Sequence, residues 1–384
     1  MWRHIASNAV TFLIVGLFLL AGAILWGQGQ YKSAGPLEQA ICLKVDRGST
    51  MSRVSRDLGE QGAVSSPSVF RIGADYEDKT NDLKAGSFLV PEGASMEEIV
   101  SIVTRGSASS CGTEVVYRIG VTRATVQVRQ LDPATNRFVE KASFNPAEDD
   151  APEQYTRVRG EADTRYRIAL AEGVTSWQVV EALKSVELLS GDVAEVPAEG
   201  MLAPDSYEVR VDEKRVDLVQ RMLAAQEKRI AEVWAERRGD VPLKSPEEML
   251  TLASIIEKET GVAEERRQVA SVFTNRLNQG IKLQTDPTVI YGVTRGKGVL
   301  GRGLRRSELR KETPWNTYVI AGLPPTPIAN PGLASLRAAV DPDTTPFIFF
   351  VADGTGGHAF AETLAEHNAN VAKWRKIEAE RANN

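Results

Sequence analysis

Residues 9–26 form an uncharged run of eighteen, Ala-Val-Thr-Phe-Leu-Ile-Val-Gly-Leu-Phe-Leu-Leu-Ala-Gly-Ala-Ile-Leu-Trp. No other feature constrains the fold as much. Lipid satisfies no backbone polar group, so a run of this length has to close its own hydrogen bonds as a helix across the bilayer. A transmembrane helix over 9–26 is the expectation. Ala21-Gly22-Ala23 has the small-x-small look of a signal-peptide cleavage site, but apolar residues continue past it to Trp26, which favours an uncleaved anchor. Arg3 and the amino terminus place residues 1–8 on the cytoplasmic side, with Trp2 and Trp26 as interfacial anchors. The rest of the chain then lies outside the inner membrane, beginning with a linker over 27–40.

That compartment is oxidising, so Cys42 and Cys111 either pair or remain two buried thiols; the sequence leaves both open. The 384 residues suffice for two or three domains with real cores, and the net charge of −5 argues against nucleic acid, which would favour a basic face.

Three segments share one pattern. Gly48-Ser-Thr50 precedes Val54 and Leu58; Gly93-Ala-Ser95 precedes Ile99 and Val103; Gly173-Val-Thr175 precedes Val179 and Leu183. Each reads as a turn glycine, an N-cap two residues on, and an amphipathic helix. Ser95 with Glu98 and Thr175 with Gln178 make capping boxes. Between the second and third segments, residues 114–130 alternate apolar and polar, with a phase change near Arg123 that reads as a bulge. Residues 132–136 supply a turn and Arg137-Phe138-Val139 starts the return strand; residues 145–153, acidic and proline-bearing, read as a loop. Residues 217–238 read as a scaffold helix with Leu218, Met222, Ala225, Ile230 and Val233 inward. Residues 346–352 read as a strand buried on both faces, and Val371 and Trp374 as the docking face of a last helix.

The chemistry concentrates in residues 244–292. Ser245 is a natural N-cap, Pro246 fits the first helical position, and Glu248 closes a capping box. Met249, Leu252, Ala253 and Ile256 recur at helical spacing, and Gly261 can take the left-handed cap. Glu257 and Glu259 end this helix and point to different sides. Glu259 follows Leu252, Ile255 and Ile256 by seven, four and three, which places its carboxyl at the edge of the apolar face beside the negative end of the helix. Both conditions disfavour its charged form, as a general acid requires. A second helix over 263–278 carries Arg266, Val269, Ala270, Phe273 and Leu277 on one stripe and stops at Gly280.

Ile-Ile-Glu-Lys-Glu-Thr at 255–260, Val-Ala-Ser-Val-Phe-x-Asn-Arg-Leu at 269–277, Leu-Gln-Thr-Asp-Pro-Thr-Val-Ile-Tyr-Gly at 283–292, Asn-Thr-Tyr at 316–318 and Gly-Leu-Pro-Pro at 322–325 together resemble the endolytic murein transglycosylases, the YceG-like family. The likeness continues through residues 329–332 and 350–360 to His367 and Asn368, and a weaker one covers Glu199-Gly-x-x-x-Pro-Asp-x-Tyr207. It implies an α+β fold: a single N-terminal transmembrane helix, a glycan-binding LysM-like α/β module over 41–112, an inserted β-hairpin region over 113–163, a connecting α/β segment over 164–244, an α+β catalytic domain over 245–376 and a tail over 377–384. The hairpin departs from the family pattern, which is shorter there; Trp315 and Thr326 stand where that pattern has Tyr and Gly.

The resemblance also implies a reaction. Glu259 falls on the second Glu of the Glu-Lys-Glu-Thr motif, the catalytic one. Gln284, Thr285, Asp286, Asn316 and Tyr318 are candidates for orienting sugars, with Tyr291 and Trp315 as stacking faces. Peptidoglycan glycan strands are the implied substrate, in the periplasm beside the synthesis machinery and its penicillin-binding proteins. The implied product is a 1,6-anhydro-muramyl end, and no metal or cofactor is expected. His358 and His367 with Asp353 or Glu362 lack a usual zinc spacing. A pyridoxal enzyme would need a Schiff-base lysine, and Lys258 points away from the Glu259 side. The rival reading is a non-catalytic peptidoglycan-binding anchor.

Overall fold

The computed structural model describes residues 2–105, 110–161 and 163–382, with side chains from Thr11 to Arg381. Trp2 and Arg3, which carry the expected membrane orientation, have side chains outside that range, as do residues 106–109 of the expected module and the last two residues of the expected tail. The chain divides into two compact units. The first comprises Met1–Val115, Gln127–Phe144 and Asp150–Arg165; the second comprises Val116–Val126, Asn145–Asp149 and Tyr166–Asn384.

In the first unit, α1 (Trp2–Lys32) is one continuous helix, and its part Thr11–Lys32 is long and apolar enough to cross a membrane, with none of it buried over the apolar window. It does not stop at Trp26, so the linker expected over 27–40 is corrected: residues 27–32 are helical. The reason is Tyr31, a core residue whose ring lies on Gly73, where any Cβ would overlap it. β1 (Ile41–Val45) pairs antiparallel with β2 (Gly86–Val90), bringing Leu43 opposite Phe88. The helices α2 (Met51–Glu60), α3 (Pro67–Tyr76) and α4 (Met96–Thr104) close over them. Val54, Leu58, Phe70, Phe88, Ile99 and Val103 form the core. A disulfide joins Cys42 to Cys111, with Cα atoms 5.7 Å apart.

The repeated pattern has a physical basis. Gly48 and Gly93 take φ of +77° and +66°, a left-handed conformation that costs glycine little. Thr50 and Ser95 then accept the amides of Arg53 and Glu98, and Ser95 and Glu98 complete a capping box.

The strands β3 (Thr113–Ile119), β4 (Ala124–Asp132) and β5 (Arg137–Phe144) and the helix α5 (Glu153–Val158) come next in the chain, and β6 (Arg165–Leu170) pairs antiparallel with β7 (Ser206–Val209) in the second unit. The phase change near Arg123 is a tight turn rather than a bulge: β3 ends, the Gly120 amide donates to the Arg123 carbonyl (3.1 Å), and β4 begins.

The second unit is built around one helix. α6 (Ser176–Lys184) is the third repeat, with Gly173 at φ +79° and a Thr175–Gln178 capping box. α7 (Arg215–Ala235) is the expected scaffold helix. In α8 (Pro246–Glu259), every residue from Met249 to Ile256 is buried. Helices apolar all round belong inside, so α8 is a core helix rather than an amphipathic surface one. It is surrounded by α9 (Arg266–Asn278), α10 (Asp286–Thr294), α12 (Leu333–Val340) and α7, while α11 (Arg306–Arg310) lies beside α10.

β8 (Phe349–Ala352) pairs only with β9 (His358–Ala361), and all four of its residues are half-buried. The strand expected over 346–352, buried on both faces, is therefore corrected. The carbonyls of Thr345, Phe347 and Ile348 are taken by the Asn275 amide and the Arg276 guanidinium instead of by a strand. α13 (Leu364–Ala382) continues through most of the segment expected as a tail.

Candidate active site

Both ends of α8 differ in detail from the expected caps. Ser245 accepts the Glu248 amide (3.3 Å), but the Glu248 carboxylate reaches past the cap to the Lys244 amide (2.7 Å), so no capping box forms. At the other end Thr260 is extended (φ −136°), and its hydroxyl accepts the Val262 amide (3.0 Å). The chain leaves the helix through that bond, and Gly261 needs no left-handed cap.

The last turn separates its three polar side chains. Glu257 accepts the Gly332 amide (2.9 Å) and Lys258 donates to the Gly173 carbonyl (3.2 Å). Glu259 faces elsewhere and accepts a short hydrogen bond from the Thr285 hydroxyl. The Glu259 side chain is largely buried but keeps some solvent contact. Burial pushes its pKa up and Asp286 adds to the rise; the Thr285 bond and the fields of His358 and Arg276 pull it down. The result is about 7, against an ordinary 4.5.

Thr285 holds an unusual position. It is the N-cap of α10, yet makes no cap bond. A threonine there ordinarily accepts a first-turn amide, worth ~1 kcal/mol. Here the hydroxyl serves the carboxyl instead, a local rule broken at the group whose chemistry is in question. The rest of its surroundings fix it. Its amide donates to Thr317 Oγ1 (3.0 Å), Thr288 Oγ1 donates to its carbonyl (2.7 Å), and Thr288 and Thr317 share a hydrogen bond of 2.8 Å. All three threonines are buried. Gln284, exposed and left-handed at φ +50°, turns the chain into this arrangement.

The other sequence candidates fall into different places. Asp286 is exposed and accepts the Tyr318 hydroxyl (2.7 Å) at the mouth of α10. Tyr291 donates to Glu199 (3.1 Å) and packs at 5.7 Å on Trp315, whose ring is covered by Arg295 at 4.1 Å and whose indole N–H donates to Thr326. Asn316 is corrected as a sugar contact. It is fully buried, its amide donates to the carbonyls of Glu308, Leu309 and Lys311, and its oxygen accepts the Tyr318 amide. Asn316→Ala therefore destabilises the second unit by about 2 kcal/mol, read as a lowered unfolding midpoint, rather than weakening ligand alone.

Two further groups lie beside the carboxyl, and neither is among the site residues expected from the sequence. Arg276, buried, donates to Ile348 O (2.6 Å) and Leu283 O (2.7 Å), and so clamps the chain that leads to Thr285. Glu265 holds His358 twice, accepting its amide (3.0 Å) and facing its Nδ1 (2.8 Å). The two residues stand 93 positions apart.

Residues 43–373 match the model of the YceG-like family. The chain belongs to that family. The YceG-like match takes in Glu259, Thr285 and every residue just described, and leaves α1 outside. Among relatives, an endolytic murein transglycosylase of Bacillus subtilis is 27% identical over 364 residues, 93% of this chain and 91% of that protein. Endolytic murein transglycosylases of Streptococcus pneumoniae strains D39 and R6 are each 24% identical over 380 residues, 96% of this chain but 65% of theirs. A crystal structure of a yceG-like protein from Listeria monocytogenes aligns with a TM-score of 0.47 at 23% identity, covering 86% of this chain and 99% of that one.

Proposed function

We propose that this YceG-like chain is an endolytic lytic transglycosylase, anchored by α1, that cleaves the bond between N-acetylmuramic acid and N-acetylglucosamine in peptidoglycan with Glu259 as its acid and base. The observation that carries the reading is a partly buried carboxyl with a pKa of about 7 whose Oε1 is occupied by the Thr285 hydroxyl. A proton on this carboxyl then sits on Oε2, which takes no hydrogen bond among the described residues, ready to be given away.

Glu259 donates that proton to the bridging oxygen, and the bond from this oxygen to the muramyl anomeric carbon breaks. The resulting carboxylate, still held by Thr285, takes the proton of the muramyl C6 hydroxyl. That oxygen attacks the anomeric carbon and closes a 1,6-anhydro ring. The carboxyl is regenerated and no water is consumed. A hydrolase needs a second carboxylate to activate water, whereas here a positioned intramolecular hydroxyl supplies the nucleophile. The unit that receives α1, with its β1–β2 pair and capped helices, is read as the LysM-like module over 41–112 that holds the glycan, in the periplasm.

Incubation with purified peptidoglycan and mass spectrometry of the products tests the reading: anhydromuramyl ends are expected, and hydrolysed reducing ends or no products would overturn it. The acid must be protonated, so kcat/KM is expected to fall about tenfold per pH unit above about 7. Thr285→Val removes a bond that favours the ionised form, so this alkaline limb moves to higher pH while the plateau rate drops at least about tenfold. A pH–rate profile of the two proteins checks both.

A further inference from the structure

Three segments of the second unit line an open cavity of about 260 Å³ that Glu259 does not line: the turn between β3 and β4, the first turns of α6, and the chain after α10 at Gly298 and Val299. Its walls are held in place by the cap residues of α6. Gln178 donates to the Val121 carbonyl (2.9 Å), fixing the turn, and Thr175 donates to the Gly296 carbonyl (2.6 Å), fixing the loop after α10. The cavity is thus built into the fold.

Two lining groups are unused among the described residues. Trp177 is half-buried, and its indole N–H has no hydrogen-bond partner among the described residues, unlike that of Trp315. Arg123 is exposed, and its guanidinium makes no hydrogen bond or ion pair among the described residues. Glu181 lines the same space and keeps one oxygen on Lys184 (2.6 Å). An indole ringed by polar groups suits a ring with one apolar face and hydrogen-bonding edges, which describes a pyranose. α10 connects the cavity to the chemistry. Its N-cap Thr285 holds the Glu259 carboxyl, its far end leads to Gly296 and Gly298, and its nine residues span about 14 Å.

We propose that the cavity at Trp177 is a remote saccharide subsite, in which a glycan strand running along α10 rests one sugar while another is presented to Glu259. This rests on the reading of the chain as a transglycosylase, and the site would hold the strand without touching the bond that breaks.

The test uses the full-length Glu259→Gln protein in detergent and glycan strands stripped of their peptides. Trp177→Ala in that background is expected to weaken binding about tenfold, with Trp177→Phe keeping most of the affinity and Arg123→Ala losing part of it; thermal melts establish that each variant is folded. Unchanged affinity in folded Trp177→Ala and Arg123→Ala overturns the proposal. A loss confined to peptide-bearing strands overturns it too, in favour of a stem-peptide site. With Glu259 intact, Trp177→Ala should raise KM and leave the anhydromuramyl product unaltered. If wild type yields no such product yet Trp177→Ala still weakens binding, the transglycosylase reading fails and the subsite stands.

Discussion

Glu259→Gln is expected to lose about 10³-fold or more of its activity on peptidoglycan and to gain stability as it does so. The amide has the size of the carboxyl and can still accept the Thr285 hydroxyl, but it neither gives nor takes a proton. The stability gain follows from the same burial that makes Glu259 an acid. Its pKa is about 7 in the folded protein against an ordinary 4.5, so the folded chain keeps a proton that the unfolded chain has released. Stability on this account is whole below about pH 4.5, falls as pH rises toward 7, and stays low above that. At ~1.4 kcal/mol per pH unit the loss is about 3 kcal/mol, an upper value because the carboxyl keeps some solvent contact. Glutamine does not suffer it. Unfolding midpoints of the two proteins should coincide near pH 4.5 and separate by several degrees at pH 8, with the variant higher. A variant that is less stable at pH 8 would mean that the carboxylate is well solvated and no acid is stored there.

Asn330→Ala is expected to destabilise the second unit by about 3 kcal/mol with no effect on the Glu259 titration. Asn330 is fully buried. Its amide donates to the Val174 carbonyl (2.8 Å), and its oxygen accepts the Leu202 amide (2.9 Å) and the Ser176 hydroxyl (3.4 Å). Alanine strands the Leu202 amide where water does not reach and leaves a void beside it. Asn330→Asp should be worse, because it sets an acceptor against the Val174 carbonyl and buries a charge without a cation. Thermal unfolding followed by circular dichroism reads both. A loss below about 1 kcal/mol for the alanine variant would mean that water enters and satisfies the site.

What could be read ahead of the structure was local. A cap needs only its own helix, so Gly48, Gly93 and Gly173 with Thr50, Ser95 and Thr175 announced three helix starts from spacing alone. The environment of Glu259 was legible for the same reason, since Leu252, Ile255 and Ile256 lie on its own helix. What was hidden depends on partners distant in sequence. Thr285 was grouped with sugar contacts, yet its hydroxyl is used 26 residues away, on Glu259. Asn316 looked free to meet a ligand because the carbonyls it satisfies, Glu308, Leu309 and Lys311, lie at the end of α11, a helix of five residues that the sequence pattern does not announce. The apolar run at 346–352 suggested one buried strand, and Asn275 and Arg276, some 70 residues earlier, take the carbonyls that keep residues 346–348 out of it. Tyr31 overrode the expected end of the first helix because Gly73, 42 residues on, leaves room for its ring.

The central claim is that Glu259 is a neutral acid at pH 6 and an anion at pH 8. Isotope-edited infrared spectroscopy, with Glu259→Gln as the subtraction reference, reports the protonated carboxyl directly and needs no substrate. A carbonyl band that disappears with a midpoint near 7 is the expected result. A carboxylate already formed by pH 5, titrating near the ordinary 4.5, would contradict the account.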